Sequence, residues 1–206
     1  MKVLAINGSP HSDGVVAKGI SIMIGELAKE NIETEIIHAG NKKIQGCIAC
    51  RKCIGTQQCA IPGDIVQETS EKMRAADGLI LGSPTYFGSI AGTFKCLLDR
   101  LFFCYPNMRY KVGAAVVSLR RAGGVGVFHQ LNNYFNLSQI IITPGMYWDV
   151  IYGNNAQEVL GDMEGLQLME VQGRNMAWLI KAVAARKEET PIPEPPAERI
   201  RTNFIR

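Results

Sequence analysis

The chain has 206 residues, 47% apolar and 20% charged, with 22 basic and 19 acidic side chains giving a net charge of +3. That balance excludes collagen-like, coiled-coil and wholly disordered chains, and the length suits one domain with one sizeable core. No apolar stretch reaches the roughly 18 residues of a transmembrane helix, and no Lys/Arg run interleaved with aromatics points to nucleic acid.

Residues 2–6 (KVLAI) read as a buried strand ending at the turn Asn7-Gly8-Ser9-Pro10. From 15 to 30 the apolar positions Val16, Ile20, Met23, Ile24 and Leu27 recur at helical spacing, and 33–38 (ETEIIH) reads as a second strand. A cysteine-rich segment occupies about 44–62, and Asp64 is placed to cap a helix reaching Ala76. Residues 78–82 (GLILG) form a third expected strand, ending at Ser83-Pro84-Thr85, with a helix over 92–103 and a fourth strand over 111–118. Gly123-Gly124 open a helix through Asn136, 139–143 (QIIIT) reads as a short fifth strand, and a long helical region covers about 156–186. Apolar strands alternating with helices predict an α/β domain over 1–187: a doubly wound five-stranded parallel sheet covered on both faces, with the cysteine segment as an insertion. From Glu188 the composition changes. ETPIPEPPAER holds four prolines, so 188–206 is expected to be an extended tail, with Phe204 and Ile205 favouring docking on some surface.

The loop Gly8-Ser9-Pro10-His11-Ser12-Asp13-Gly14 matches neither the P-loop nor G-x-G-x-x-G. It still joins a strand to a helix N-terminus, where free N–H groups and a partial positive charge attract anions. Ser9, His11 and Ser12 add donors. The alternative is a plain turn with a Ser or Asp cap. In a 2-1-3-4-5 strand order, the loops after strands one and three flank the point where a ligand sits. After strand three, Tyr86 and Phe87 stand between turn residues, where a flat heteroaromatic ring could stack; the alternative is that they pack into the domain or a dimer contact. The fourth loop adds Arg120, Arg121 and the permissive Gly123-Gly124.

Four of the six cysteines are spaced Cys47-x2-Cys50-x2-Cys53-x5-Cys59. This is too compact for two zinc knuckles and has the spacing that wraps an iron–sulfur cubane, so a [4Fe-4S] cluster is the leading reading. Zinc and redox-active thiols are the alternatives. Arg51 and Lys52 add positive charge beside an anionic cluster. Cys96 and Cys104, in a helical pattern, read as small core side chains. Clustered thiols without an export signal suggest a reducing compartment, and the expectation is a cytoplasmic protein engaging neither membrane nor nucleic acid.

Four blocks together resemble the iron–sulfur flavoproteins, a branch of the flavodoxin-like, NADPH-dependent FMN reductase superfamily: Gly8-Ser9-Pro10, the cysteine motif, KMRAADGLILGSPTYFGSIAGTFKCLLDR at 72–100, and KVGAAVVS…GG at 111–124. The resemblance runs over about 1–185. It implies a flavodoxin-like fold with FMN phosphate on Ser9, His11, Ser12, Gly14, Val15 and Val16. It implies the isoalloxazine on Pro84, Thr85, Tyr86, Phe87 and Gly88, with Gly123 and Gly124 on its far side. It implies the cluster on Cys47, Cys50, Cys53 and Cys59, and a homodimer or homotetramer. His11 stands where the family commonly has Arg, and Val15-Val16 where it has Asn followed by Thr or Ser, which leaves more of the phosphate to backbone N–H groups.

The expected function is FMN-dependent electron transfer through a [4Fe-4S] cluster to or from a small-molecule or protein partner, such as ferredoxin or NAD(P)H. No catalytic acid or base is named, because the cofactors carry the chemistry. Alternatives are an NAD(P)H-dependent FMN or quinone reductase without a functional cluster, and a non-enzymatic redox or metal sensor.

Overall fold

Val3, Leu4, Ala5 and Ile6 are apolar on both faces of one strand, a pattern only a sheet covered on both sides can bury. In the computed structural model, which describes residues 1–104, 107–198, 200, 202 and 204, all four are fully buried in β1 (Lys2–Asn7). Next come α1 (Val15–Lys29), β2 (Glu33–His38), α2 (Val66–Ala75), β3 (Gly78–Tyr86), β4 (Ser89–Ile90), α3 (Gly92–Cys104), β5 (Val112–Leu119), α4 (Gly124–Leu137), β6 (Ile141–Ile142), β7 (Val150–Tyr152) and α5 (Met163–Glu189), with a 3-10 turn at Glu158–Gly161.

The parallel ladder runs β2-β1-β3-β5-β6, with β7 also parallel to β5. Register places Val3 opposite both Thr34 and Gly78. Because side chains alternate along a strand, Val3 and Ala5 join Ile80 and Val116 under α1 and α5. Leu4 and Ile6 join Leu79, Leu81 and Val117 under α2, α3 and α4. The architecture is the expected α/β, flavodoxin-like one.

Several boundaries differ from expectation. β3 continues past Gly82 to Tyr86 and returns as β4 through Phe87 and Gly88, at φ 51° and 72°. Two successive left-handed residues make the tight hairpin whose twist matches its strands. The fifth strand is broken. β6 pairs with the foot of β5 and β7 with its head. Pro144 cannot donate to the ladder, and 143–149 leaves the sheet carrying the exposed Met146, Tyr147 and Trp148. The long helical region is a 3-10 turn and then α5, capped by the Asp162 carboxylate accepting from the Gly165 N–H at 3.0 Å. α5 ends at Glu189, past the expected start of the tail, where Thr190 precedes Pro191 and turns extended. Asp64, two residues before the helix start and one before its N-cap Ile65, accepts from the Val66 N–H at 3.1 Å.

The tail stays near the body as far as Pro193, whose carbonyl accepts from Arg109 Nη2 at 2.5 Å. Phe204 is exposed. Ile205, the other docking candidate, lies outside the described residues. No helix among the described residues is long and apolar enough to cross a membrane.

Candidate functional site

The loop after β1 is held by its own polar groups. Asn7, buried at the strand end, accepts from the Ser9 N–H at 2.9 Å through Oδ1 and donates to the His11 carbonyl at 3.2 Å through Nδ2. Ser9 Oγ accepts from the His11 N–H at 3.2 Å, which leaves its own proton to donate. Gly40, just past β2, supports the loop from behind: a Cβ there would stand 2.2 Å from the Ser9 carbonyl carbon, so the backbones touch directly. α1 then starts at Val15, after an N-cap Gly14 with extended backbone and no side-chain cap. The capped-turn alternative therefore fails, and the first-turn N–H groups stay open to an anion.

The loops after β1, β3 and β5 line one cavity of about 430 Å³. Of the expected FMN residues, Ser9, His11, Gly14, Val15, Pro84, Thr85 and Tyr86 are on its wall. Thr85 Oγ1 is buried there and has no hydrogen-bond partner among the described residues. An orphaned buried hydroxyl needs a partner, and a polar ligand in this cavity would supply one. The uncapped helix start and this hydroxyl together fit a phosphate-bearing aromatic ligand such as FMN.

Other expected residues lie elsewhere. Ser12 lines a neighbouring groove with Asn7, Lys18 and His38. Val16 is a core side chain against Gly82, so only its backbone can serve. Phe87 projects freely from the hairpin tip, at 109% exposure. Gly123 backs onto the hairpin, where its Cβ would stand 3.3 Å from Gly88 Cα, and Gly124 is buried against Leu119 and Val150. Neither lines the cavity. Arg120, Gly153, Asn154 and Asn155 do. The last three follow β7, a strand with no signal of its own in a three-residue apolar run.

The cysteine segment leaves the same sheet edge after β2 and has no helix or strand until α2. Cys47 and Cys50 are exposed, Cys59 half-buried and Cys53 buried, and all four border one cleft with Arg100, Phe103 and Cys104. Ala49 and Arg51, either side of Cys50, sit at φ 52° and 59°. Non-glycine residues held there cost about 1 kcal/mol or more each. Left-handed residues alternating with ordinary ones turn N–H groups into a concavity that suits phosphates and iron–sulfur clusters. Each thiolate of a cluster binds its own iron, so the thiols need to ring a space. Among the described residues no three of His, Cys, Asp and Glu converge as the ligands of a single ion would. Four thiols around one cleft are the donor set that a cluster would take. The cleft is narrow, about 10 Å³, and its outer wall is the irregular stretch bearing Cys47 and Cys50.

Arg100, fully buried on α3, holds this segment. Nε donates to Cys59 Sγ at 3.2 Å, Nη1 to the Gln45 carbonyl at 3.2 Å and Nη2 to the Ile61 carbonyl at 2.9 Å, while Nη1 also pairs with Asp64. Burial opposes the guanidinium charge, and the bonds to Asp64 and Cys59 outweigh it, so its pKa is raised. Cys104, four residues on, belongs to the core as expected, but it also faces the cleft. Burial, and then the thiols of Cys53 and Cys59, push its own thiol up to about 12. Cys96 is half-buried beside Gly46, whose Cβ would stand 3.5 Å from Cys96 Sγ. The i, i+4 spacing of Arg100 and Cys104 was the only available signal for their shared face.

Residues 1–154 match the NADPH-dependent FMN reductase family. The chain is 33% identical over 193 residues to an iron–sulfur flavoprotein of Methanocaldococcus jannaschii, covering 89% of this chain and 99% of that protein. To an iron–sulfur flavoprotein of Methanosarcina thermophila it is 28% identical over 196 residues, covering 92% and 100%. Among solved structures, RosB with a bound 8-demethyl-8-formylriboflavin-5′-phosphate intermediate matches with a TM-score of 0.70 at 18% identity, over 100% of this chain and 94% of RosB. A WrbA-like flavodoxin from Agrobacterium tumefaciens matches with a TM-score of 0.60 at 12% identity, over 88% and 98%. The structural matches speak for the fold and the sequence matches for the lineage: the chain belongs to the iron–sulfur flavoproteins, flavin-dependent oxidoreductases of the flavodoxin-like NADPH-dependent FMN reductase family.

Proposed function

We propose that this chain binds FMN between the loops after β1, β3 and β5, binds a [4Fe-4S] cluster on Cys47, Cys50, Cys53 and Cys59, and passes electrons between the flavin and a redox partner. The observation that carries the reading is the uncapped start of α1 opening, through Gly14 and Val15, into the cavity that is also lined by Thr85, whose buried hydroxyl has no partner among the described residues. When bound, FMN supplies two-electron and one-electron chemistry and the cluster supplies one-electron transfer.

The chain's own residues hold and screen. Ser9, His11, Gly14 and the backbone N–H groups of Val15 and Val16 take the phosphate, whose charge the helix dipole favours. Pro84, Thr85, Tyr86 and Gly88 serve the ring side, with Gly123 fixing the hairpin from behind and Gly124 packed against Leu119 and Val150. Arg100 holds Cys59 in place. No side chain is given a proton-transfer role. The donor or acceptor is ferredoxin or NAD(P)H, the assembly a homodimer or homotetramer, and the location cytoplasmic.

Anaerobic purification followed by iron, acid-labile sulfide and flavin counts tests this. About four irons, four sulfides and one FMN per chain are expected. Flavin without iron or sulfide would favour a second reading, an NAD(P)H-dependent FMN or quinone reductase without a functional cluster, for which the narrowness of the cysteine cleft speaks. That reading requires NAD(P)H to bleach the flavin at the same rate in a Cys47→Ala variant.

A further inference from the structure

The cysteine cleft contains a thiol beyond the four of the motif. Cys104 closes α3 one helical turn after Arg100, so the two side chains leave the same face of the helix. Cys104 is 3% exposed, lines the cleft, and lies against the thiols of Cys53 and Cys59. The cleft therefore has two walls of different character. Cys47 and Cys50 stand on the exposed outer wall, and Cys53, Cys59 and Cys104 form the inner one. Within the inner wall the supports also differ. Cys59 comes two residues after the left-handed Gln57, at φ 56°, in a stretch without helix or strand. Cys104 is carried by a helix packed into the core through Phe94, Leu97, Leu98 and Leu101.

Cys59 therefore shares its wall of the cleft with a second sulfur on a more rigid mount. Soft thiolate ligands suit iron–sulfur clusters whichever chain position supplies them. We propose that Cys104 is a reserve ligand of the cluster, able to take over the iron that Cys59 holds. The exchange is a ligand substitution. The iron–sulfur bond to Cys59 breaks, one to Cys104 forms, the Cys104 proton passes to the departing Cys59 sulfur, and no electron is gained or lost. Cys47, on the exposed outer wall, is expected to have no such substitute. The proposal rests on the reading of residues 47–59 as the cluster site.

The test uses the full chain purified anaerobically as wild type, Cys59→Ala, Cys104→Ala, Cys59→Ala/Cys104→Ala and Cys47→Ala. Iron and sulfide are counted, and the electron paramagnetic resonance of the reduced proteins is recorded. Flavin content and circular dichroism report folding in each. Wild type and Cys104→Ala should carry the full complement. Cys59→Ala should keep more than half of it, with an altered resonance, while the double variant and Cys47→Ala fall at least fivefold below wild type. Equal iron in Cys59→Ala and in the double variant overturns the proposal, as does a Cys59→Ala chain that holds flavin but no iron. The same pair built on Cys59→Ser, which keeps the side chain's size, reads the same dependence on Cys104 if the alanine variant fails to fold. A wild-type chain without iron overturns the cluster reading, and this proposal with it.

Discussion

Asp149 is the carboxylate most altered by its surroundings. It is buried at the end of the excursion between β6 and β7, where Gln172 Nε2 donates to Oδ2 at 2.7 Å. Oδ1 has no partner among the described residues, and burial pushes the group up to about 7. The fold favours the neutral acid, so this contribution to stability is full below about pH 4 and is lost as pH rises through 7. Asp149→Asn keeps an acceptor for Gln172 without the charge. It should raise Tm at pH 8 by about 5 °C, corresponding to ~2 kcal/mol, and give no gain at pH 4. An equal shift at both pH values would mean that ionisation is not the cause. Arg100 and Asp64 make the opposite case, a buried charge that is paired. Arg100→Ala leaves the Asp64 carboxylate buried without its cation, which costs about 3–5 kcal/mol and lowers Tm by roughly 10 °C. Arg100→Met/Asp64→Leu should recover at least half of that loss in thermal melts. If the double variant melts no higher than the single one, the stranded charge is not what destabilises it.

Elements matter here through where they end. β1 and β2 are parallel neighbours, so their exits lie side by side, and Gly40 after β2 can support Ser9 after β1. Gly40→Ala pushes a methyl group into the Ser9 backbone. It should weaken FMN binding about tenfold while changing riboflavin binding less, because the displaced loop faces the phosphate, and it should cost about 1–3 kcal/mol of stability. Fluorescence titration with both flavins separates these outcomes, and an equal loss for the two would place the phosphate elsewhere. The run 78–82 announces a buried strand in the sequence. The continuation to Tyr86 does not, because Ser83-Pro84-Thr85 carry turn propensities that pairing with β5 overrides, with Ser83 opposite Val117 and Pro84 opposite Ser118. Likewise 139–143 is legible as a strand while β7 is not. Three residues hold too little periodicity to be seen, and only the head of β5, which β6 leaves unpaired, explains why Val150, Ile151 and Tyr152 pair at all.

At the scale of the molecule, the unburied Phe87 ring at the tip of the β3–β4 hairpin is the clearest reason to expect a second copy of the chain. Burying such a ring yields about 2 kcal/mol, counted twice in a two-fold contact. Phe87→Glu should shift the assembly toward monomers in analytical ultracentrifugation at micromolar concentration, with flavin content unchanged. An unchanged sedimentation profile would remove this ring from the contact. By itself the sequence determined the α/β alternation, the two faces of the core, the four-cysteine spacing and the loops that meet at the sheet edge, because hydrophobic period, turn chemistry and ligand spacing are local and survive in one dimension. Only the tertiary structure decided that Val16 faces the core and Phe87 the solvent, that residues 153–155 complete the cavity wall, and that Arg100 and Cys104 reach the cysteine segment from a helix some forty residues further on. Those are contacts between distant parts of the chain, set by the packing of α3 against the sheet and by the register of β7 on β5, and no local pattern encodes them.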